Sequence, residues 1–312
     1  MKKYFFILLF SLSFIFFASA QIKQGEITHD GYNRTWLTYL PKNYSKAKTY
    51  PLVIALHGGS GTAKQLMNST KKRFNTLADT KGFIVVYPQG VKKSWNDNNK
   101  RDQNGFARKE NIDDVGFISK LISVLESKYS INSDAVFACG ISNGGLMSQT
   151  LAVELSEKIK VVGMVAATFG KDEVDKVTDT SPFSILFIHG TKDPIIPYAE
   201  GDITVFKKTR GHVLGIKKSI AYMCSLNGNT LEPIVTKLAN ISIKDNMTSE
   251  HFKYPNNKNP SLKVELIKVI NGGHSWPGAK KKKRLLKKIT GATTQDFNAC
   301  DKLWEFFKST IK

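Results

Sequence analysis

Ala135-Val136-Phe137-Ala138-Cys139-Gly140-Ile141-Ser142-Asn143-Gly144-Gly145 is the stretch on which the fold turns. An apolar run of strand length ends in a glycine-x-serine-x-glycine pattern, and a helix-forming segment continues from Gly144 to Leu155. Glycines on both sides of a serine let the chain reverse where a Cβ would collide. The turn lifts the hydroxyl above the end of a buried strand and sets the next backbone N–H beside it. Five residues of this kind occur often by chance. Placed between a buried strand and a helix, they predict Ser142 as a nucleophile.

Working outward, Arg34 to Leu40 alternates like a half-buried strand. Pro51 to His57 is a continuous apolar run closed by Gly58-Gly59, and Phe83 to Tyr87 is another closed by Pro88. Uninterrupted apolar runs are the mark of parallel strands covered on both faces. The pattern predicts helices over Gln65–Lys81, Asp113–Tyr129, Val213–Leu226 and Thr294–Lys308, with further strands over Val161–Ala167, Phe183–His189 and Leu262–Ile270. Alternating strands and helices give an α/β fold, a mostly parallel sheet covered by helices on both faces. In such sheets ligands bind beyond the carboxyl ends of the strands.

A serine hydroxyl is a poor nucleophile at neutral pH and needs a base and an orienting carboxylate, which follow it in the order acid, then histidine. Of the histidines after Ser142, His189 falls within a strand and His212 opens the helix predicted from Val213. His274 sits in a glycine-rich loop, Asn271-Gly272-Gly273-His274, leaving a strand, and is the expected base. Asp193, in the turn after Phe183–His189, is the expected acid. Asp202 competes from a second turn, and an aspartate before Pro194 can also simply cap its turn. Acyl transfer needs N–H donors aimed at the developing oxyanion. Asn143 offers one, and the loop His57-Gly58-Gly59-Ser60-Gly61 offers the other. Gly59 is the expected donor, with Gly58 or Ser60 as alternatives and His57 as a brace for the loop.

With those residues placed, the chain resembles the secreted esterases of the polyhydroxybutyrate depolymerase and feruloyl esterase group, from about Arg34 to Lys308. The resemblance rests on Leu56-His57-Gly58-Gly59, Ser94-Trp95-Asn96-Asp97, Asp113-Asp114 with Val115-Gly116-Phe117, and Gly140 to Gly145. It rests equally on Gly190-Thr191-Lys192-Asp193, Gly272 to Gly278 and Asp296-Phe297. It implies an α/β-hydrolase fold, the triad Ser142, Asp193 and His274, and ester cleavage outside the cytoplasm on feruloyl, acetyl or short hydroxyalkanoate esters. It also implies that Trp95 and Trp276 contact substrate, with packing of their loops as the alternative for each. Asp113 and Asp114, at a helix start, read first as capping residues. The chain departs from the group in the basic run Lys280-Lys281-Lys282-Lys283-Arg284-Leu285-Leu286-Lys287-Lys288.

Bulk properties bound the rest. Met1-Lys2-Lys3, the apolar stretch Tyr4 to Phe17 and Ala18-Ser19-Ala20 read as a signal peptide over residues 1–20, with an uncleaved anchor as the alternative. The apolar run is too short to span a membrane comfortably, and no lipid-attachment cysteine follows it. Removing 20 of 312 residues leaves 292, expected as one catalytic domain over residues 21–312, and takes the formal charge from +20 to +18 with the loss of Lys2 and Lys3. Such an excess attracts anionic surfaces, and the 280–288 run would focus it, although a solvated lysine-rich surface gives the same count. No nucleic-acid-binding motif accompanies it, so nucleic acid is not an expected partner. Serine chemistry needs no metal or organic cofactor. Of three cysteines, Cys139 reads as a core residue, which leaves Cys224–Cys300 as a candidate disulfide. A peptidase, an acyltransferase or a catalytically idle binder of anionic partners are the competing functions.

Overall fold

Residues 52–56 and 84–87 have no exposure to solvent, as continuous apolar strands covered on both faces require. The computed structural model describes residues 22–98, 105–170, 181–280 and 283–311; the expected signal peptide lies outside them. Strands β1 (Ile22–His29), β2 (Tyr32–Tyr39), β3 (Tyr50–Leu56), β4 (Ile84–Pro88), β5 (Ile131–Ile141), β6 (Val161–Val165) and β7 (Ser184–Gly190) lead to a hairpin of β8 (Gly201–Val205) and β9 (Lys208–Val213). Then follow β10 (Ile234–Lys237), β11 (Thr248–Tyr254) and β12 (Val264–Ile270). Among the described residues one ten-stranded sheet has the order β1-β2-β4-β3-β5-β6-β7-β12-β11-β10. Its centre, from β4 to β12, is parallel, and the strands outside it pair antiparallel. This is the α/β-hydrolase architecture.

Helices cover the two faces. Residues of α4 (Asp114–Lys128), α5 (Asn143–Glu154) and α6 (Gly215–Asn227) share a core with Leu52, Ile54 and Leu56. On the other face α1 (Ala63–Ser69), α2 (Arg73–Lys81) and α8 (Ala299–Lys308) pack on Val53, Ala55 and Val85. The last helix is fixed by stacked rings, Phe83 with Trp304 at 4.1 Å and Phe137 with Phe307 at 4.8 Å. Such pairs contribute roughly 1 kcal/mol each beyond their burial. Two short helices lie near the cleft, α3 (Phe106–Lys109) and α7 (Arg284–Thr290). No helix among the described residues is long and apolar enough to cross a membrane.

Several expectations need correction. The helix predicted over Gln65–Lys81 is two helices, broken where Lys71 and Lys72 take left-handed φ of 58° and 56°. The final helix starts at Ala299 rather than Thr294, because the Asn298 side chain caps it through Cys300 N–H. His212 belongs to β9, and α6 begins only at Gly215. The Cys224–Cys300 disulfide is excluded: all three cysteines are free and buried. Cys224 lies in the core on one face of the sheet, while Cys300 lies with Cys139 in the core on the other. A sheet separates the two sulfurs, beyond the reach of a disulfide.

Candidate active site

The parallel centre puts the carboxyl ends of β3, β5, β7 and β12 on one edge, and each continues into one expected site segment. Ser142 follows β5 with φ 57° and ψ −126°, a region that side chains populate only under strain. The turn is held by Ser142 N–H donating to the Val165 carbonyl at 2.9 Å and by the Ser142 carbonyl accepting from Gly145 and Leu146. Both glycines of the motif are obligatory. A Cβ on Gly140 would stand 2.3 Å from the Gly144 carbonyl oxygen, and one on Gly144 would stand 2.4 Å from that of His57.

Asp193 follows β7 and His274 follows β12. His274 Nδ1 donates to Asp193 Oδ2 at 2.8 Å, while Asp193 Oδ1 accepts from the N–H groups of Ile195 and Ile196 at 2.8 and 2.9 Å. The turn-capping and histidine-binding functions thus fall on different oxygens of one carboxylate, whose side chain is fully buried. Their loops are stitched together by Lys192 N–H to the Gly272 carbonyl at 2.9 Å and Asn271 N–H to Thr191 Oγ1 at 2.9 Å. Asp202, the competing acid, bonds instead to His212 Nδ1 at 2.8 Å on the hairpin. His189 is buried, with Nδ1 on the Gly190 carbonyl at 3.1 Å, and burial lowers its pKa.

Ser142, His274, Gly59 and Asn143 all line a cavity of about 570 Å³. Ser60 and Gly61 donate their N–H groups to the carbonyls of Lys93 and Gly58, at 2.8 and 3.0 Å. Ser60 is therefore removed as an oxyanion donor, while Gly59 stays available. His57 braces this loop from beneath. Its Nε2 accepts from Gly90 N–H at 3.0 Å, so Nδ1 carries the proton and donates to the Gly58 carbonyl at 2.8 Å.

Burial lowers the pKa of His57 to about 4. Between that value and the unfolded value near 6.5, the unfolded chain binds a proton that the folded chain refuses, so stability rises with pH across this window and is lost on acidification. From pH 7 to about pH 5 this residue alone should cost roughly 2 kcal/mol. Urea melts at the two pH values, on wild type and His57→Asn, should show a smaller acid loss in the variant; equal losses would reject the assignment.

Sequence reasoning missed how Asn143 is fixed. Its side chain accepts from Trp95 N–H at 2.9 Å and donates to the Trp95 carbonyl at 3.0 Å and to Asp97 Oδ2 at 2.8 Å. Asp97 in turn binds Arg108 at 2.6 Å. Asp113 is a helix cap, accepting from Gly116 N–H at 2.7 Å. Asp114 is not: it is buried against Arg34, with Oδ2 accepting Asn96 N–H at 2.7 Å. Two buried ion pairs thus clamp the Trp95–Asp97 segment over the residue after Ser142. The available signal was Ser94-Trp95-Asn96-Asp97, a polar segment with a tryptophan just beyond a strand.

The two tryptophans part company. Trp95 lines the cavity, although it is 1% exposed and its indole N–H is held by the His57 carbonyl at 2.8 Å. Trp276 is 3% exposed and meets Phe74 edge-on in the core beneath α2, outside the cavity lining. Its expected role as a substrate contact is withdrawn, because the loop after His274 turns the indole inward.

Comparison with known proteins finds similarity to esterases. The family model described as "Putative esterase" matches residues 30–183. "Putative esterase NocK" of Nocardia uniformis subsp. tsuyamanensis is 26% identical over 82% of this chain and 73% of its own length. Feruloyl esterase B of Piromyces equi is also 26% identical, over 78% of this chain but only 42% of its own length. The chain therefore spans less than half of that relative. Among solved structures, acetyl xylan esterase from Aspergillus awamori superposes with a TM-score of 0.57 at 17% identity, covering 92% of this chain and 99% of the other. That likeness is one of fold.

Proposed function

We propose that this chain, which the "Putative esterase" family model matches over residues 30–183, is a secreted serine esterase in which Ser142 attacks the ester carbonyl. His274 takes the Ser142 proton and passes it to the leaving alcohol. Asp193 holds His274 with its proton on Nδ1, so that the lone pair of Nε2 acts as the base. The N–H groups of Gly59 and Asn143 receive the oxyanion, and water activated by His274 then releases the acyl group. The single observation that carries this reading is the 2.8 Å contact between His274 Nδ1 and a buried carboxylate, in the wall of the cavity onto which the strained Ser142 turn opens.

Feruloyl and acetyl esters lead as substrates because feruloyl and acetylxylan esterases are among the relatives. Secretion rests on residues 1–20, and an accessory attraction to anionic surfaces on the 280–288 run. The test pairs hydrolysis of acetyl, feruloyl and 3-hydroxybutyryl chromogenic esters with labelling by a fluorophosphonate and peptide mass mapping. Turnover together with one label on Ser142 is the expected result. A folded protein that cleaves none of these esters, or is labelled elsewhere, refutes the reading.

A further inference from the structure

Four cationic side chains, Lys92, Lys93, Arg108 and Arg210, line the cavity that holds Ser142 and His274, and no aspartate or glutamate among the described residues does. Arg108 is committed to Asp97. Lys92, Lys93 and Arg210 make no ion pair with a described residue. The carboxylates nearest in the chain to Arg210 are engaged elsewhere, Asp202 with His212 and Glu200 with Lys218 at 2.6 Å. These cations sit on built elements. Lys92 and Lys93 occupy a tight turn at φ 46° and 65°, whose Lys93 carbonyl anchors the loop that carries Gly59 through Ser60 N–H at 2.8 Å. Arg210, half-buried on β9, belongs to the hairpin tied to the turn after Asp193 by Thr204 N–H on the Ile195 carbonyl at 2.9 Å.

Like charges gathered around a low-dielectric cleft raise its potential and concentrate anions there. The same cleft has apolar walls from Leu66, Leu146, Ile195, Ile196 and Ile203. We propose that the cleft contains an anion subsite formed by Arg210 with Lys92 and Lys93, and that the preferred substrates are esters with an apolar body and a carboxylate away from the scissile bond. The proposal rests on the esterase reading for what the anion is attached to, and on the cavity lining for the subsite itself. Arg210 offers the planar fork that matches a carboxylate, and the lysines offer point charges.

Matched ester pairs test it. Mono(4-nitrophenyl) adipate against its methyl ester places the charge on the acyl side, and 4-acetoxybenzoate against its methyl ester places it on the alcohol side. At low salt kcat/KM should favour the anionic member of at least one pair by about tenfold, one or two charge-assisted contacts' worth. The preference should fall in Arg210→Gln and in a Lys92→Gln/Lys93→Gln double variant, and in about 0.5 M salt. Lys128→Gln, a charge removed from the end of α4 outside the cavity lining, should leave it intact. A neutral preference in both pairs, or a preference as strong in the cleft variants as in Lys128→Gln, overturns the subsite. Calorimetric binding of 4-hydroxybenzoate against its methyl ester separates the two ideas. If no ester is cleaved but the acid binds more tightly and loses that advantage in Arg210→Gln, the esterase reading fails and the anion subsite stands. Equal binding in that case removes both.

Discussion

Ser142→Ala is expected to lower kcat for ester hydrolysis by about 10,000-fold or more, leaving only the background that an oxyanion hole and a binding cleft supply without a nucleophile. The same position carries a second, opposite expectation for stability. At φ 57° and ψ −126° any side chain is strained, at a cost of order 1–3 kcal/mol, and glycine alone adopts that backbone freely. Ser142→Gly should therefore be as inactive as the alanine variant yet resist denaturant better, by about 1 kcal/mol once the entropy of a more flexible unfolded chain is deducted. Alanine keeps the strain and should sit close to wild type. Steady-state kinetics with urea melts on all three proteins read both effects. An alanine variant within tenfold of wild-type kcat would remove Ser142 from the chemistry, and a glycine variant clearly less stable than alanine would show that the turn stores no strain.

That strain also explains which parts of the molecule could be read from its residues. Gly140 and Gly144 are demanded by backbone approach within 2.5 Å, so the turn is encoded locally. The neighbouring strands are buried on both faces, which imposes continuous apolar runs. The fold centre and the order of the serine, aspartate and histidine segments are legible for that reason. The outer elements are not. Among the described residues β1 pairs only with β2, and β10 is exposed along its whole length; their alternation is weak because they have little core to face. The break at Lys71-Lys72 is illegible for a different reason. Lysine has no preference for left-handed backbone, and the turn exists because packing on either side fixes it.

Tertiary contacts also decide what a side chain does. Trp95 and Trp276 have equally suggestive sequence positions, yet one is clamped across the cavity and the other is folded against Phe74. Asp113 and Asp114 are adjacent at a helix start, and only the first caps. The second pairs with Arg34 of β2, 80 residues away in the chain, which no local pattern announces. Cys224 and Cys300 are of this kind too, since the sheet between them is a property of topology. What the residues could not supply was which long-range partner each polar side chain would meet.

Asp193→Asn is expected to lower kcat by about 1,000- to 10,000-fold while the protein stays folded, and the hydrogen bonds say why. The carboxylate accepts three N–H groups and donates none: two backbone donors meet Oδ1 and His274 Nδ1–H meets Oδ2. An asparagine amide offers one oxygen and one NH2, so one side of the group must face a donor with a donor. Turning the NH2 toward Ile195 and Ile196 would strand two backbone N–H groups, at about 1–3 kcal/mol each. Turning it toward His274 strands nothing if the imidazole moves its proton from Nδ1 to Nε2. The second arrangement is cheaper and leaves Nε2, the atom that must accept the Ser142 proton, already protonated. The variant should therefore melt near wild type, bind substrate with little change in KM and fail in kcat. Raising the pH should not restore it, because the defect is a tautomer and not a charge. An Asp193→Asn enzyme within tenfold of wild-type kcat would mean that another group orients His274, and a variant that fails to fold would mean that the Oδ1 turn outweighs the Oδ2 contact.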